Sequence, residues 1–284
     1  MQNVIACIDA SKQSEHVADA AAWVAKKLDL PLTLLHTLEK SVQSKDANLS
    51  GAIGFSSREH LLDKLTHLDE ERAKLAQKHG KLLLEAAKEH VSSVDLKAVN
   101  TTQRHGDIVE ALQDIETDAR LIVLGRSGED HTSNINVIGS HIESAARTLH
   151  RPLMITVGEF QAPSSFMVAY DGRETADKAL ERIIQSPLLK GMKCHLVSVK
   201  RPNSDIEKSF YNAEERLTAA GYEVVAELLD SPNIYDALHQ YRDENAIDLL
   251  IMGAYAHSKV RQFFVGSNTT KMIMESPIPM IILR

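Results

Sequence analysis

The residues best suited to chemistry lie near the C-terminus, between Asp248 and Thr270. Leu249 to Met252 is apolar without a polar break, the pattern of a strand covered on both faces. Gly253 ends the run, and a polar stretch with His257, Lys259 and Arg261 follows. Gly266-Ser267-Asn268 opens an amphipathic segment with Met272, Ile273 and Met274; Pro277 closes it, and Ile278 to Leu283 reads as another buried strand. The chemistry this order suits is anion binding. Glycine lets the backbone approach a phosphate closely, and the free N–H groups and dipole of a helix N-terminus favour negative charge. A loop leaving the carboxyl end of a parallel strand sits where open α/β sheets hold ligands. Ser267 is placed to cap the helix or to offer its hydroxyl to a phosphate, and Arg261 to supply a cation. The glycines alone fit a plain strand-to-helix turn equally well.

The spacing adds information. It resembles the nucleotide loop of the universal stress protein family, G-x-x-G, nine residues, then G-S or G-T. Here Gly253 leads to Ala256, His257 to Val265 fill nine positions, and Gly266-Ser267 completes the loop. Ala256 stands where the family pattern has its second glycine. The resemblance implies binding of ATP or AMP, with Mg as an optional companion.

The elements that must position this loop read as alternating strands and helices. Asn3 to Ile8 is a buried strand with Asp9 at its end. Ser14 to Leu28 has helical periodicity, with Ser14 as cap candidate. Leu32 to Leu38 is the second strand, and Glu39 to about Arg58 an aperiodic loop. Leu61 to Val91 is a long charged helix, and Val94 to Val99 the third strand. Gly106 to Ile115 is a helix and Ala119 to Leu124 the fourth strand. A loop from Gly125 to Gly139-Ser140 leads to a helix over Ile142 to Leu149 and a fifth strand over Leu153 to Val157. Such alternation predicts right-handed crossovers and a parallel sheet with both faces covered.

After Phe160 the pattern restarts. Ser165 to Tyr170 is a strand ending at Asp171, as the first strand ends at Asp9. Cys194 to Lys200 answers Leu32 to Leu38, and Tyr222 to Leu228 is the third strand of this half. Gly106-Asp-Ile-Val-Glu-Ala-Leu112 parallels Pro232-Asn-Ile-Tyr-Asp-Ala-Leu238, and Leu121 to Gly125 parallels Leu249 to Gly253. A repeat this long is two copies of a domain. The expected domains are residues 1–158 and 159–284, each a flavodoxin-like α/β unit with a five-stranded parallel sheet. The resemblance to universal stress proteins then covers the chain as a tandem pair. It implies that the two units pair about a pseudo-two-fold axis through their last strands.

The same resemblance supplies the binding residues. An Asp after the first strand meets the adenine end of the nucleotide, which points to Asp9 in one half and to Asp171, beside Tyr170, in the other. Backbone near the end of the second strand lines the base, at Thr37 and at Ser198 to Val199. The loops supply Gly125, Gly128, Gly139 and Ser140 in the first half, and Gly253, Ala256, His257, Arg261, Gly266, Ser267 and Asn268 in the second. The halves are not equal. The first loop keeps both early glycines but runs ten residues, Glu129 to Ile138, and carries Glu129 and Asp130. Two like charges roughly 4 Å apart cost about 4 kcal/mol at an effective dielectric of about 20, so those carboxylates oppose a triphosphate unless Arg126 and His131 offset them. The second loop keeps its length and its cations, and is expected to be the better site.

Composition bounds the rest. The chain has 284 residues, 43% hydrophobic and 25% charged, with a net charge of -7. That balance argues against non-specific nucleic-acid binding or a basic membrane face. Cys7 and Cys194 lie in apolar runs and read as buried free thiols rather than a disulfide framework. The histidines show no metal-ligand spacing, there is no G-K-S/T and no G-x-S-x-G, and no general base stands beside a nucleophile. The expectation is a cytoplasmic, non-enzymatic stress-response protein that binds an adenine nucleotide, with a homodimer and unidentified protein partners open. The rival expectation is an interaction or structural protein with degenerate, nucleotide-free pockets; slow ATP hydrolysis is a weaker third.

Overall fold

The computed structural model describes residues 2–38, 55–126, 135–200, 206–253 and 268–284, without the side chains of 55–63, 135–140 and 268. In the first half, β1 (Asn3–Cys7), β2 (Leu32–Leu38), β3 (Val99–His105), β4 (Ala119–Gly125) and β5 (Leu153–Thr156) alternate with α1 (Ser14–Leu28), α2 (Phe55–His90), α3 (Ile108–Ile115) and α4 (Ile135–Thr148). In the second, β6 (Ser165–Ala169), β7 (Lys193–Val199), β8 (Glu223–Leu229), β9 (Leu249–Gly253) and β10 (Met280–Leu283) alternate with α5 (Glu174–Gln185), α6 (Ile206–Ala219), α7 (Ile234–Glu244) and α8 (Asn268–Glu275).

Hydrogen bonds join the strands into one ten-stranded sheet, ordered β3-β2-β1-β4-β5-β10-β9-β6-β7-β8. Within each half the pairings are parallel. The seam is antiparallel, with Met280 opposite Ile155, Ile281 opposite Met154 and Ile282 opposite Leu153. The order is therefore palindromic about the seam, as a pseudo-two-fold relation requires. The physical reason lies in β5 and β10, whose residues are all buried. Either strand alone would be a hydrophobic sheet edge with unpaired N–H and C=O groups. Pairing them removes both edges.

Side chains alternate across the strands, so the core divides by sheet face rather than by half. Val4, Ala6, Met154, Leu249, Ile251, Ile281 and Leu283 pack on one face with α1, α5 and α6. Ile5, Leu153, Ile155, Leu250, Met252, Met280 and Ile282 pack on the other with α3, α4, α7 and α8. Each core is continuous across the seam, and among the described residues two arginines bridge it. Arg126 of the first half donates to the Ser276 carbonyl of the second. Arg284 donates to the carbonyls of Arg147, at 2.7 Å, and Leu149.

Several elements differ from the sequence reading. The third strand lies at Val99–His105 rather than at 94–99. It is a half-exposed edge strand, Val-Asn-Thr-Thr-Gln-Arg-His, whose apolar approach residues Val94 and Leu96 pack against the core instead of forming the ladder. Ser14 is the first helical residue, not a cap; Gln13 holds the cap position without a side-chain bond. The fourth helix starts at Ile135, not Ile142, so Gly139 and Ser140 lie inside it rather than at its N-terminus. A helix-interior glycine costs only about 1 kcal/mol, too little to stop a helix that Ile135 to Ile138 have already begun. The expected loop from Glu39 to Arg58 ends at 54, where α2 begins, and 39–54 lies outside the described residues. Among the described residues no helix is long and apolar enough to cross a membrane.

Candidate functional site

In each half one strand is a topological switch point. β6 has β7 on one side and β9 on the other, and β1 stands in the same way between β2 and β4. The helix after β6, α5, covers one face; the helix after β9, α8, covers the opposite face. The chain therefore opens a crevice outside the carboxyl ends of β6 and β9, the position in which open α/β sheets hold ligands. Asp171 and Gly253 stand at its two lips, with Val199 at the end of the next strand out.

Gly253 is required by its neighbours. A Cβ built there would lie 2.7 Å from the Thr175 carbonyl oxygen and 2.9 Å from the Thr175 carbonyl carbon. The end of β9 thus packs against the backbone of the first turn of α5, which only glycine allows. Arg173 caps that helix without a side-chain bond. Asp171 makes the turn before it: its carboxylate accepts from Arg173 N at 3.1 Å and lies 3.5 Å from Arg173 Nε. Its side chain remains 36% exposed. Gly172, at φ 71°, gives this turn its left-handed step.

The Tyr170 side chain is taken up by the core. Its ring is buried in the core, and its hydroxyl donates to Asp177 Oδ1 at 2.8 Å. Burial first, and the bond to Asp177 second, push its pKa up. The side chain is committed to packing α5 and α6, so only the backbone of Tyr170 faces the strand end. Val199 is likewise buried. Ala256, His257, Arg261, Gly266 and Ser267 lie outside the described residues; Asn268 is the first residue of α8.

The equivalent corner of the first half is built otherwise. Asp9 Oδ1 accepts from Ser11 N at 3.0 Å, Ser11 Oγ at 2.5 Å and Ser14 Oγ at 2.8 Å. Ser14 Oγ also accepts from Asp9 N. One carboxylate oxygen is thus occupied by the aspartate's own turn. Thr37 is half-buried near the end of β2, and Gly125 ends β4. Gly128 lies outside the described residues. Arg126, a candidate to offset Glu129 and Asp130, instead reaches over the seam to Ser276, and burial lowers its pKa. It is a strap between the halves. The sequence carried no signal for this, because its partner is a backbone carbonyl 150 residues away.

The two strand histidines are satisfied core residues. His36 Nδ1 lies 2.8 Å from the Ile8 carbonyl, and His195 Nδ1 lies 3.0 Å from the Tyr241 hydroxyl. Cys7 and Cys194 are free thiols whose pKa values burial pushes up, Cys194 to about 12. Among the described residues no group of three or more His, Cys, Asp or Glu is placed to hold a metal ion.

Comparison with known proteins bears on this geometry. The model of the universal stress protein family matches residues 1–156 and again 164–284. The universal stress protein Slr1230 of Synechocystis sp. (strain ATCC 27184 / PCC 6803 / Kazusa) is 32% identical over 288 residues, spanning 100% of both chains. The crystal structure of a universal stress protein from Archaeoglobus fulgidus DSM 4304 superposes with a TM-score of 0.70 at 20% identity, covering 99% of this chain and 98% of that one. A putative universal stress protein from Pseudomonas aeruginosa UCBPP-PA14 gives 0.59 at 15% identity, covering 100% and 93%. At these identities the structures speak for the fold.

Proposed function

Because the chain belongs to the universal stress protein family, we propose that it binds an adenine nucleotide, ATP or AMP, in the crevice between β6 and β9. The halves are taken as residues 1–158 and 159–284, and the second is the better site. Asp171 meets the base end, the backbone of Tyr170 and Val199 lines it, and the stretch from Gly253 to Asn268 holds the phosphates. The role is binding rather than catalysis, in a stress-response protein of the cytoplasm. One observation carries the reading: β9, which ends at Gly253, lies beside β6, which leads into Asp171, at a switch point of the sheet, and α8 opens at Asn268, directly after Gly266-Ser267 in sequence. The N–H groups at a helix N-terminus favour phosphate oxygens, which supports the assignment of this end of α8 to the phosphates.

The rival reading, a degenerate pocket kept for partner contacts, is favoured in the first half. There the aspartate is engaged by Ser11 and Ser14, and Gly139-Ser140 lies inside α4. Titration calorimetry of the full chain with ATP and AMP tests both. Asp171→Ala weakens binding more than about tenfold, or about 1.4 kcal/mol, and Asp9→Ala leaves it unchanged. Absence of binding, or a larger loss with Asp9→Ala than with Asp171→Ala, overturns the proposal.

A further inference from the structure

The helix α2 outgrows the body that it belongs to. At 36 residues and about 1.5 Å rise per residue it is about 54 Å long. Among the described side chains it docks toward its C-terminal end, where the Gln77 carbonyl accepts from Gln103 Nε2 and Gly80 is buried against His36 and Gln103; a Cβ at Gly80 would collide with both side chains. Every residue from Lys64 to His79 is exposed. Helices owe most of their stability in water to packing of an apolar face, and the side chains of this segment stay exposed to solvent.

Its exposed side nevertheless carries an apolar stripe. Leu65, Leu68, Leu75 and Leu82 are 41%, 50%, 66% and 53% exposed, and Tyr211 is the remaining large hydrophobic side chain exposed among the described residues. Leu68, Leu75 and Leu82 recur every seventh position, the period of a coiled-coil seam. With these leucines at d, the a positions are Leu65, Arg72 and His79, and the flanking g positions are Lys64, Glu71, Lys78 and Glu85. The g charges alternate in sign.

That alternation selects the occupant. In an antiparallel pair of identical helices, g positions face g positions. Lys64 then meets the partner's Glu85, and Glu71 meets the partner's Lys78, with both pairs repeated by the two-fold axis. Leu65 shares its layer with the partner's Leu82, and Leu75 shares its layer with the partner's Arg72, whose long stem can cover apolar surface. A parallel pair would set Lys64 against the partner's Asp69 but leave Glu71 against the partner's Ala76 and Lys78 against the partner's Leu83, so it matches one g charge of each helix where the antiparallel pair matches four. We infer that the leucine face of α2, from Leu65 to Leu82, is a self-association surface on which two copies of this chain pair as an antiparallel coiled coil.

Analytical ultracentrifugation of the full chain tests this. The wild type sediments at twice 31.4 kDa. Leu68→Lys with Leu75→Lys gives a monomer; both side chains are exposed in the single copy, so its circular dichroism and Trp23 fluorescence stay those of the wild type. Glu71→Lys alone weakens the dimer by about three- to tenfold, and Glu71→Lys combined with Lys78→Glu restores it, because the exchanged signs still oppose each other across the axis. A monomeric wild type, a dimer that survives the two lysines, or a charge exchange that fails to restore association overturns the inference.

Discussion

Replacing Gly253 by alanine isolates the packing on which the crevice depends. Two effects of opposite sign compete. Alanine reduces the freedom of the unfolded chain, which alone would stabilise by about 0.4–1 kcal/mol. Against this, the new methyl group lands 2.7 Å from the Thr175 carbonyl oxygen and 3.1 Å from Ala176 N, both backbone atoms. Comfortable contacts begin near 3.5 Å, so strand end and helix start must separate by roughly 0.5–0.8 Å. Neither is free to move: Gly253 is in register with Leu283 and Met252 with Ala169, and the turn into α5 is tied by Asp171 to Arg173. Overpacking of this kind costs about 1–3 kcal/mol. The clash outweighs the entropy, and the variant loses about 1–2 kcal/mol in urea unfolding followed by circular dichroism. It also binds nucleotide more weakly, because the crevice lip has moved. Thr175→Ala does not rescue it, since the collision is with backbone. A stability within about 0.5 kcal/mol of wild type at unchanged denaturant slope would refute the reasoning.

Further outcomes follow from other contacts. Arg126→Ala removes a charged donor from the Ser276 carbonyl and costs about 1.5–3 kcal/mol by the same unfolding assay. Asp248 accepts from the backbone and hydroxyl groups of Ser164 and Ser165; burial raises its pKa, but those four bonds outweigh burial and leave it lowered. A carboxyl with a lowered folded pKa stabilises above its unfolded value, about 3.9, and that stability is lost as pH falls through the folded value. Stability measured from neutral pH into this acid range therefore declines less steeply for Asp248→Asn than for wild type. Because both cores run across the seam, unfolding followed by Trp23 fluorescence and by circular dichroism coincides; two separate transitions would contradict a shared core. Ala256→Gly, which restores the family's second glycine, tightens ATP binding up to about fivefold, the worth of about 1 kcal/mol.

The seam was implied only by the family resemblance, whereas the sequence alone determined the repeat and the alternation of strands and helices. Those depend on patterns within single segments: unbroken apolar runs such as Leu249 to Met252, helical spacing in Val17 to Leu28, and strand ends marked by Asp9, Asp171, Gly125 and Gly253. A strand buried on both faces must be apolar throughout, so its place is written locally. β3 escaped because an edge strand can be polar, as Asn100 to His105 are, and no apolar period marks it. Gly139 and Ser140 were misplaced because glycine only disfavours a helix, and the turn before it had already formed.

What only the tertiary structure decided rests on contacts between distant segments. The Tyr170 hydroxyl goes to Asp177; the Asp9 carboxylate serves Ser11 and Ser14, whereas Asp171 keeps part of its surface exposed. Arg126 spans the seam. Gly253 is glycine because the backbone of α5 lies against it. The exposure of Leu68 and Leu75 belongs to the same class, for a leucine stripe at heptad spacing reads alike on a helix buried in a core and on one that leaves it. Residue type fixes what each of these groups is able to bond; where the sheet order and the helix crossings bring it fixes which bond it makes.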